Sequence, residues 1–151
     1  MHTILFALAL TALGTRPSAS PEDSAVMRPI HQFIDAFNKG DEKTAAALCS
    51  DITSIVDELP PYEWHGAGTC AAWMGAWDAD AKVKGITAAS VVAARPRHLD
   101  VSGDRAYVVL PVTYTTTMKS RTEKETASTL VLSLEKRAQG WRVTAWAWSK
   151  G

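Results

Sequence analysis

The sequence predicts an α+β fold, with three helices followed by a curved antiparallel meander. Two observations carry this. Apolar residues recur at helical spacing in the first part of the chain, and from Ile86 the pattern changes to period two and keeps it. Short polar links then separate the alternating runs, as hairpins require. Helices first and strands last is the order of an α+β domain, with the helices on the concave side of the sheet. The 151 residues, 46% hydrophobic and 21% charged, suffice for one core. Lys plus Arg equals Asp plus Glu at 16 each, without a basic stripe, so no nucleic-acid partner is expected.

The chain opens on "ILFALALTAL", Ile4 to Leu13. A bilayer span needs about 20 apolar residues, so this run is too short. It reads as the apolar part of a secretory signal, with Ser18, Ala19 and Ser20 near the cleavage point. Residues 1–20 are therefore expected to be a signal and 21–151 a single domain, exported to a periplasm or beyond, without a membrane span in mature form. An uncleaved anchor or a mis-called start codon is the alternative. Cys49 and Cys70 are an even pair, and export would favour one disulfide over two free thiols.

Val26, Ile30, Phe33, Ile34 and Phe37 make one apolar stripe on the first helix. Ser20 and Pro21 suit its cap and first position, and Gly40 suits its end. Pro29 conflicts with this, implying a kink or a start near Ser24. Asp41 caps a short second helix, "EKTAAALCS". "ITSIVD", Ile52–Asp57, reads as a strand, and "PPYEWHGAG" as a loop because of its prolines and glycines. "TCAAWMGAWDADAK" is the third helix, capped by Thr69, with Trp73 and Trp77 on one face.

Four strands follow: "ASVVAARPRHLDV", "RAYVVLPVTYTTTMK", "TASTLVLSLEK" and "WRVTAWAWSK". A turn at Gly103-Asp104 pairs Leu99 with Val108 and puts Leu110, Val112 and Tyr114 on the same face. His98 then shares the other face with Tyr107 and Val109. A turn centred on Thr122 pairs Val112 with Leu132 and Tyr114 with Leu130. A bulged turn at Gly140 would place Trp146 and Trp148 beside Leu130 and Leu132, and a one-residue slip would replace them with Val143 and Ala145.

"FNKGD", "CSDITSIVDE", "HGAG" and "GWRVTAWAWS", in this order, resemble the NTF2-like superfamily, with the SnoaL-like and ketosteroid-isomerase-like branches most similar. The resemblance implies a cone, a bent sheet around helices with a deep pocket at its open end. Such folds serve isomerases, dehydratases and plain binding proteins, so function must be argued from the site. Asp57 stands nine residues before Gly66, where the isomerase branch carries its carboxylate base. That branch's two oxyanion donors fall at Phe33 and near Thr129, and neither residue fits the role.

Two functions follow. One is a binding protein for a small hydrophobic or aromatic molecule. The other is a cofactor-independent lyase or isomerase with Asp57 as general base. The expected pocket residues are Phe33, Phe37, Tyr62, Trp64, Trp73, Trp77, Tyr114, Trp146 and Trp148. No cofactor and no metal cluster is expected. His98 with Asp100, and His65, read as surface or loop-pinning groups before they read as catalysts. A homodimer pairing sheet faces is a further expectation, with Thr113, Thr115, Thr117 and Thr129 giving a polar outer face.

Overall fold

The computed structural model describes residues 20–151. The expected signal thus lies outside the described residues, apart from Ser20. Helix α1 (Pro21–Lys39) starts at a reciprocal cap. Asp23 N–H donates to Ser20 Oγ at 3.0 Å, and Ser20 N–H donates to Asp23 Oδ2 at 3.1 Å. The helix runs on through Pro29, so the later start near Ser24 is not adopted. Proline forgoes one backbone hydrogen bond there, and its ring is buried. Gly40, at φ 66°, ends the helix in the left-handed region, and Asp41 accepts from Thr44 N–H to start α2 (Glu42–Ala47).

Strand β1 (Cys49–Val56) is longer than the sequence suggested. The stretch read as loop is a strand in part. β2 (Glu63–Ala67) pairs antiparallel with β1, in register Ile55 to Trp64 and Ser54 to His65. The prolines occupy only the turn, where Tyr62 N–H donates to Leu59 O at 2.8 Å and Asp57 N–H to Tyr62 O at 3.1 Å. The polar-aromatic stretch therefore closes a hairpin. α3 (Thr69–Lys84) follows Gly68, which takes the cap position expected for Thr69. The Thr69 hydroxyl instead donates to Gly66 O at 2.7 Å. Cys49 and Cys70 are joined with their Cα atoms 6.5 Å apart, tying the start of β1 to the start of α3.

The expected first meander strand is two. β3 (Ile86–Ala93) and β4 (His98–Ser102) flank the segment containing Pro96, and both pair with β5 (Arg105–Met118). β6 (Arg121–Arg137) and β7 (Gly140–Ser149) complete a sheet of seven strands. Its order is β2-β1-β7-β6-β5-β3, with β4 on β5. The meander strands pair antiparallel as expected, and the first strand β1 runs parallel to β7, so the sheet as a whole is mixed.

Leu99 pairs with Val108 and His98 with Val109, as the turn at Gly103-Asp104 implied. The β5–β6 register differs from expectation. Leu110 faces Leu130, Val108 faces Leu132, and Tyr114 faces Glu125. The turn is at Lys119-Ser120, whose φ values of 47° and 68° match the strand twist in a two-residue hairpin. Trp146 pairs with Leu132 and Trp148 with Leu130. The irregularity that makes this work lies at Thr144, between the Ser133–Ala145 and Leu134–Val143 pairs, and not at Gly140. Because the phase shifts there, Val143 and Trp146 are both buried.

The core sits between α1 and the concave face, where Val26, Ile30, Ile34, Leu110, Leu132 and Val143 are buried. Asn38 locks the end of α1 to β3. Its side chain donates to Val91 O at 2.8 Å and accepts from Val91 N–H at 2.7 Å. Among the described residues, no helix is long and apolar enough to cross a membrane.

Candidate functional site

A cavity of about 770 Å³ opens between α1, α3 and the concave sheet. Seven aromatic side chains line it: Phe33, Phe37, Trp73, Trp77, Tyr114, Trp146 and Trp148. Helical spacing puts Phe33 and Phe37 on one face of α1, and Trp73 and Trp77 on one face of α3. Strand alternation puts Trp146 and Trp148 on one face of β7. Five of these rings interlock. Trp73 meets Trp146 edge-on at 4.7 Å between centroids, Phe37 meets Trp77 at 5.0 Å, and Phe33 packs on Trp146 at 6.4 Å. Tyr114 and Trp148 form a separate pair at 5.7 Å.

Asp57 reaches this cavity from the end of β1. Leu59 N–H donates to its Oδ1 at 2.8 Å. Burial raises its pKa, and the Glu58 carboxylate pushes the same way. The Leu59 N–H opposes the rise, as does the nearby Trp73 indole N–H, which stops short of a full hydrogen bond. Burial also raises the Tyr114 phenol, with the Trp77 indole opposing and the charges of Glu58, Asp57 and Glu125 adding to the rise. The Trp73 and Trp146 indole N–H groups are buried and have no hydrogen-bond partner. Neither exposes its nitrogen to the cavity, so the wall offers ring carbons there and not donors.

Two expected pocket residues lie elsewhere. Tyr62 is 60% exposed at the hairpin turn. Trp64 packs against the core beside Ile55, away from the cavity wall. Both were placed at the mouth because their stretch was read as a loop crossing it, and the β1–β2 hairpin carries them away. Phe33 lines the cavity but carries no donor. Thr129 pairs with Pro111 and Ser149 and is not on the cavity wall.

A family profile for the SnoaL-like domain matches residues 26–150. The chain belongs to this family. No curated protein is a significant match. Among solved structures, the SnoaL-like chain is similar to a proposed dehydratase of the NTF2-like family from Streptomyces avermitilis. The identity is 15%, covering 87% of this chain and 99% of that one, with a TM-score of 0.72. It is also similar to the hexachlorocyclohexane dehydrochlorinase LinA-type3 from Novosphingobium barchaimii, at 13% identity, 86% of each chain and a TM-score of 0.71. An NTF2-like protein with a cystatin-like fold from Novosphingobium aromaticivorans matches at 12% identity, 84% of this chain and 80% of that one, with a TM-score of 0.69. At these identities the likeness shows the fold.

The polar rim of this SnoaL-like cavity was not anticipated. Glu58, Asp80, Lys84, Glu123, Lys124, Glu125 and Lys150 all reach the wall. Lys150 Nζ lies 2.9 Å from Glu58 and 3.6 Å from Glu125, bridging the end of β7, the β1–β2 turn and β6. Glu125 also accepts from the Ser128 hydroxyl. Glu123 and Lys124 fall in "SRTEK", which the sequence pattern assigns to a link, whereas β6 begins at Arg121. The signal that would have found Glu123 and Glu125 is the regular pairing from Tyr114 to Met118 through the turn at Lys119-Ser120.

His98 and Asp100 pair at 2.7 Å on β4, and His98 packs at 6.0 Å from the Tyr107 ring on the face away from the core. Their side chains are 52% and 72% exposed, so they form a solvated surface pair. His65 Nδ1 is 2.7 Å from Ser54 Oγ, pinning β2 to β1. Among the described residues, no group of three or more His, Cys, Asp or Glu is placed to hold a metal ion.

Proposed function

We propose that this protein binds a small hydrophobic or aromatic molecule in the cavity walled by Trp73, Trp146 and Trp148. The observation that carries the proposal is the concentration of seven aromatic side chains on one cavity of about 770 Å³. A drug-sized ligand fits a space of roughly 300–1,000 Å³, and an apolar wall with few polar groups suits such a ligand. Asp57 supplies the polar anchor. Crystallisation with a small aromatic alcohol such as phenylpropanol tests the proposal directly. Export belongs to the same proposal. The Cys49–Cys70 bridge and the apolar run Ile4–Leu13 support an oxidising compartment.

A second reading is a cofactor-independent lyase or isomerase. Two observations favour it: burial raises the pKa of Asp57 toward that of a useful general base, and structural neighbours include a proposed dehydratase and a dehydrochlorinase. In this reading the carboxylate takes a proton from carbon next to a carbonyl and returns it. The inaccessible indole N–H groups and the apolar Phe33 weigh against it, since an enolate oxygen needs donors. Proton exchange at a carbonyl compound's α-carbon in deuterated water decides between the readings. Catalysis by Asp57 requires the exchange to slow on Asp57→Asn by roughly 100-fold or more, and equal rates would leave binding alone.

A further inference from the structure

Five carboxylates reach the cavity wall: Asp57, Glu58, Asp80, Glu123 and Glu125. Four of them already have a cation. Lys150 lies 2.9 Å from Glu58 and 3.6 Å from Glu125. Lys84 lies 2.7 Å from Asp80, and Arg121 lies 3.4 Å from Glu123. Asp57 alone of the five has no Lys, Arg or His partner among the described residues. It is also the one set against the aromatic wall, with Trp73 beside it.

From this pattern we infer that the cavity takes an organic cation, a molecule with an aromatic or aliphatic body and one ammonium group, held by Asp57 and the surrounding rings. The inference rests on the reading of the cavity as a ligand site and names the ligand's charge. A carboxylate drawn out of water is costly unless it is paired, and half-buried Asp57 has one backbone N–H at 2.8 Å, with the Trp73 indole nearby short of a full hydrogen bond and no cation beside it. An ammonium completes the pair. Ring faces attract a cation through their quadrupole, and the attraction grows when water is excluded. Phe33, Trp73, Trp146 and Trp148 supply such rings within the same cavity. The wall as a whole carries five carboxylates against Lys84, Lys124, Lys150 and the Arg121 beside Glu123, which leaves one negative charge in excess. An anionic ligand meets that excess and the unpaired Asp57 together. A neutral ligand leaves Asp57 unpaired.

The test compares three probes with the same body and different heads: phenylpropylamine, phenylpropanol and phenylpropionate. Binding to the whole protein is followed by tryptophan emission, since four tryptophans line the cavity, and by calorimetry. The amine is expected to bind at least about tenfold more tightly than the alcohol, with the propionate weakest. In Asp57→Asn this preference is expected to vanish, the amine binding within about twofold of the alcohol in the same variant, and a cooperative thermal melt reports that the variant is folded. Asp100→Asn, on the outer face, should keep the preference. Equal affinity of amine and alcohol in the unaltered protein would overturn the cation inference and leave the cavity reading standing, as would a preference that survives Asp57→Asn. Binding of none of the three would overturn both.

Discussion

Asp57 carries most of what one residue can decide in this protein. It was legible in the sequence as a carboxylate at a strand end, nine residues before Gly66. Its setting was not. Burial raises its pKa in the folded chain above the unfolded value, so the folded state holds the Asp57 proton more tightly. The contribution of this group to stability is therefore fully present below the unfolded pKa and is lost as pH rises through the folded one. Asp57→Asn removes the charge and keeps an oxygen for the Leu59 N–H. The variant should melt higher than the unaltered, ligand-free protein near neutral pH. The gap should close as pH falls below the folded pKa of Asp57. Thermal melts across the acid range check this, and a gap that widens toward low pH would reverse the assigned direction.

The elements place the site, and here the sequence was uneven. The stripe on α1 and the Trp73–Trp77 face of α3 were readable, because spacing alone assigns a side chain to a face, while for Trp146 and Trp148 spacing gave a shared face of β7 but not which face meets the core. The β1–β2 hairpin was not, since two prolines suggested loop for a stretch in which they occupy only the turn. Long-range register was equally hidden. Moving the β5–β6 turn to Lys119-Ser120 shifts the pairing and brings Glu123 and Glu125 onto the cavity wall. Parallel pairing of β1 with β7 joins segments far apart in the chain, and no local pattern announces it. One element contact has a clear energetic consequence. Asn38 satisfies both backbone groups of Val91, so Asn38→Ala strands a donor and an acceptor where α1 meets β3. A loss of about 1–3 kcal/mol is expected in denaturant unfolding. Because Phe37 lies next to Asn38 on α1, weaker probe binding should accompany it.

At the scale of the whole molecule, the fold explains why an aromatic cavity can persist without collapsing. Helices α1 and α3 lie against the concave face of a bent sheet, and interlocked rings hold the gap. Trp73 and Trp146 brace each other edge-on at 4.7 Å, and the Cys49–Cys70 link holds α3 against β1. The resemblance carried by the order of elements implied a pocket at the open end of a cone. Its charge pattern depends on contacts among β1, β6, β7 and α3, which only the folded chain brings together.

The most direct measurement is a crystal structure of the protein grown with phenylpropanol. The phenyl ring is expected between Trp73, Trp146 and Trp148, with the hydroxyl turned toward Asp57. A cavity closed by collapsed tryptophan side chains, or a probe bound only outside it, would rule out a ligand site here.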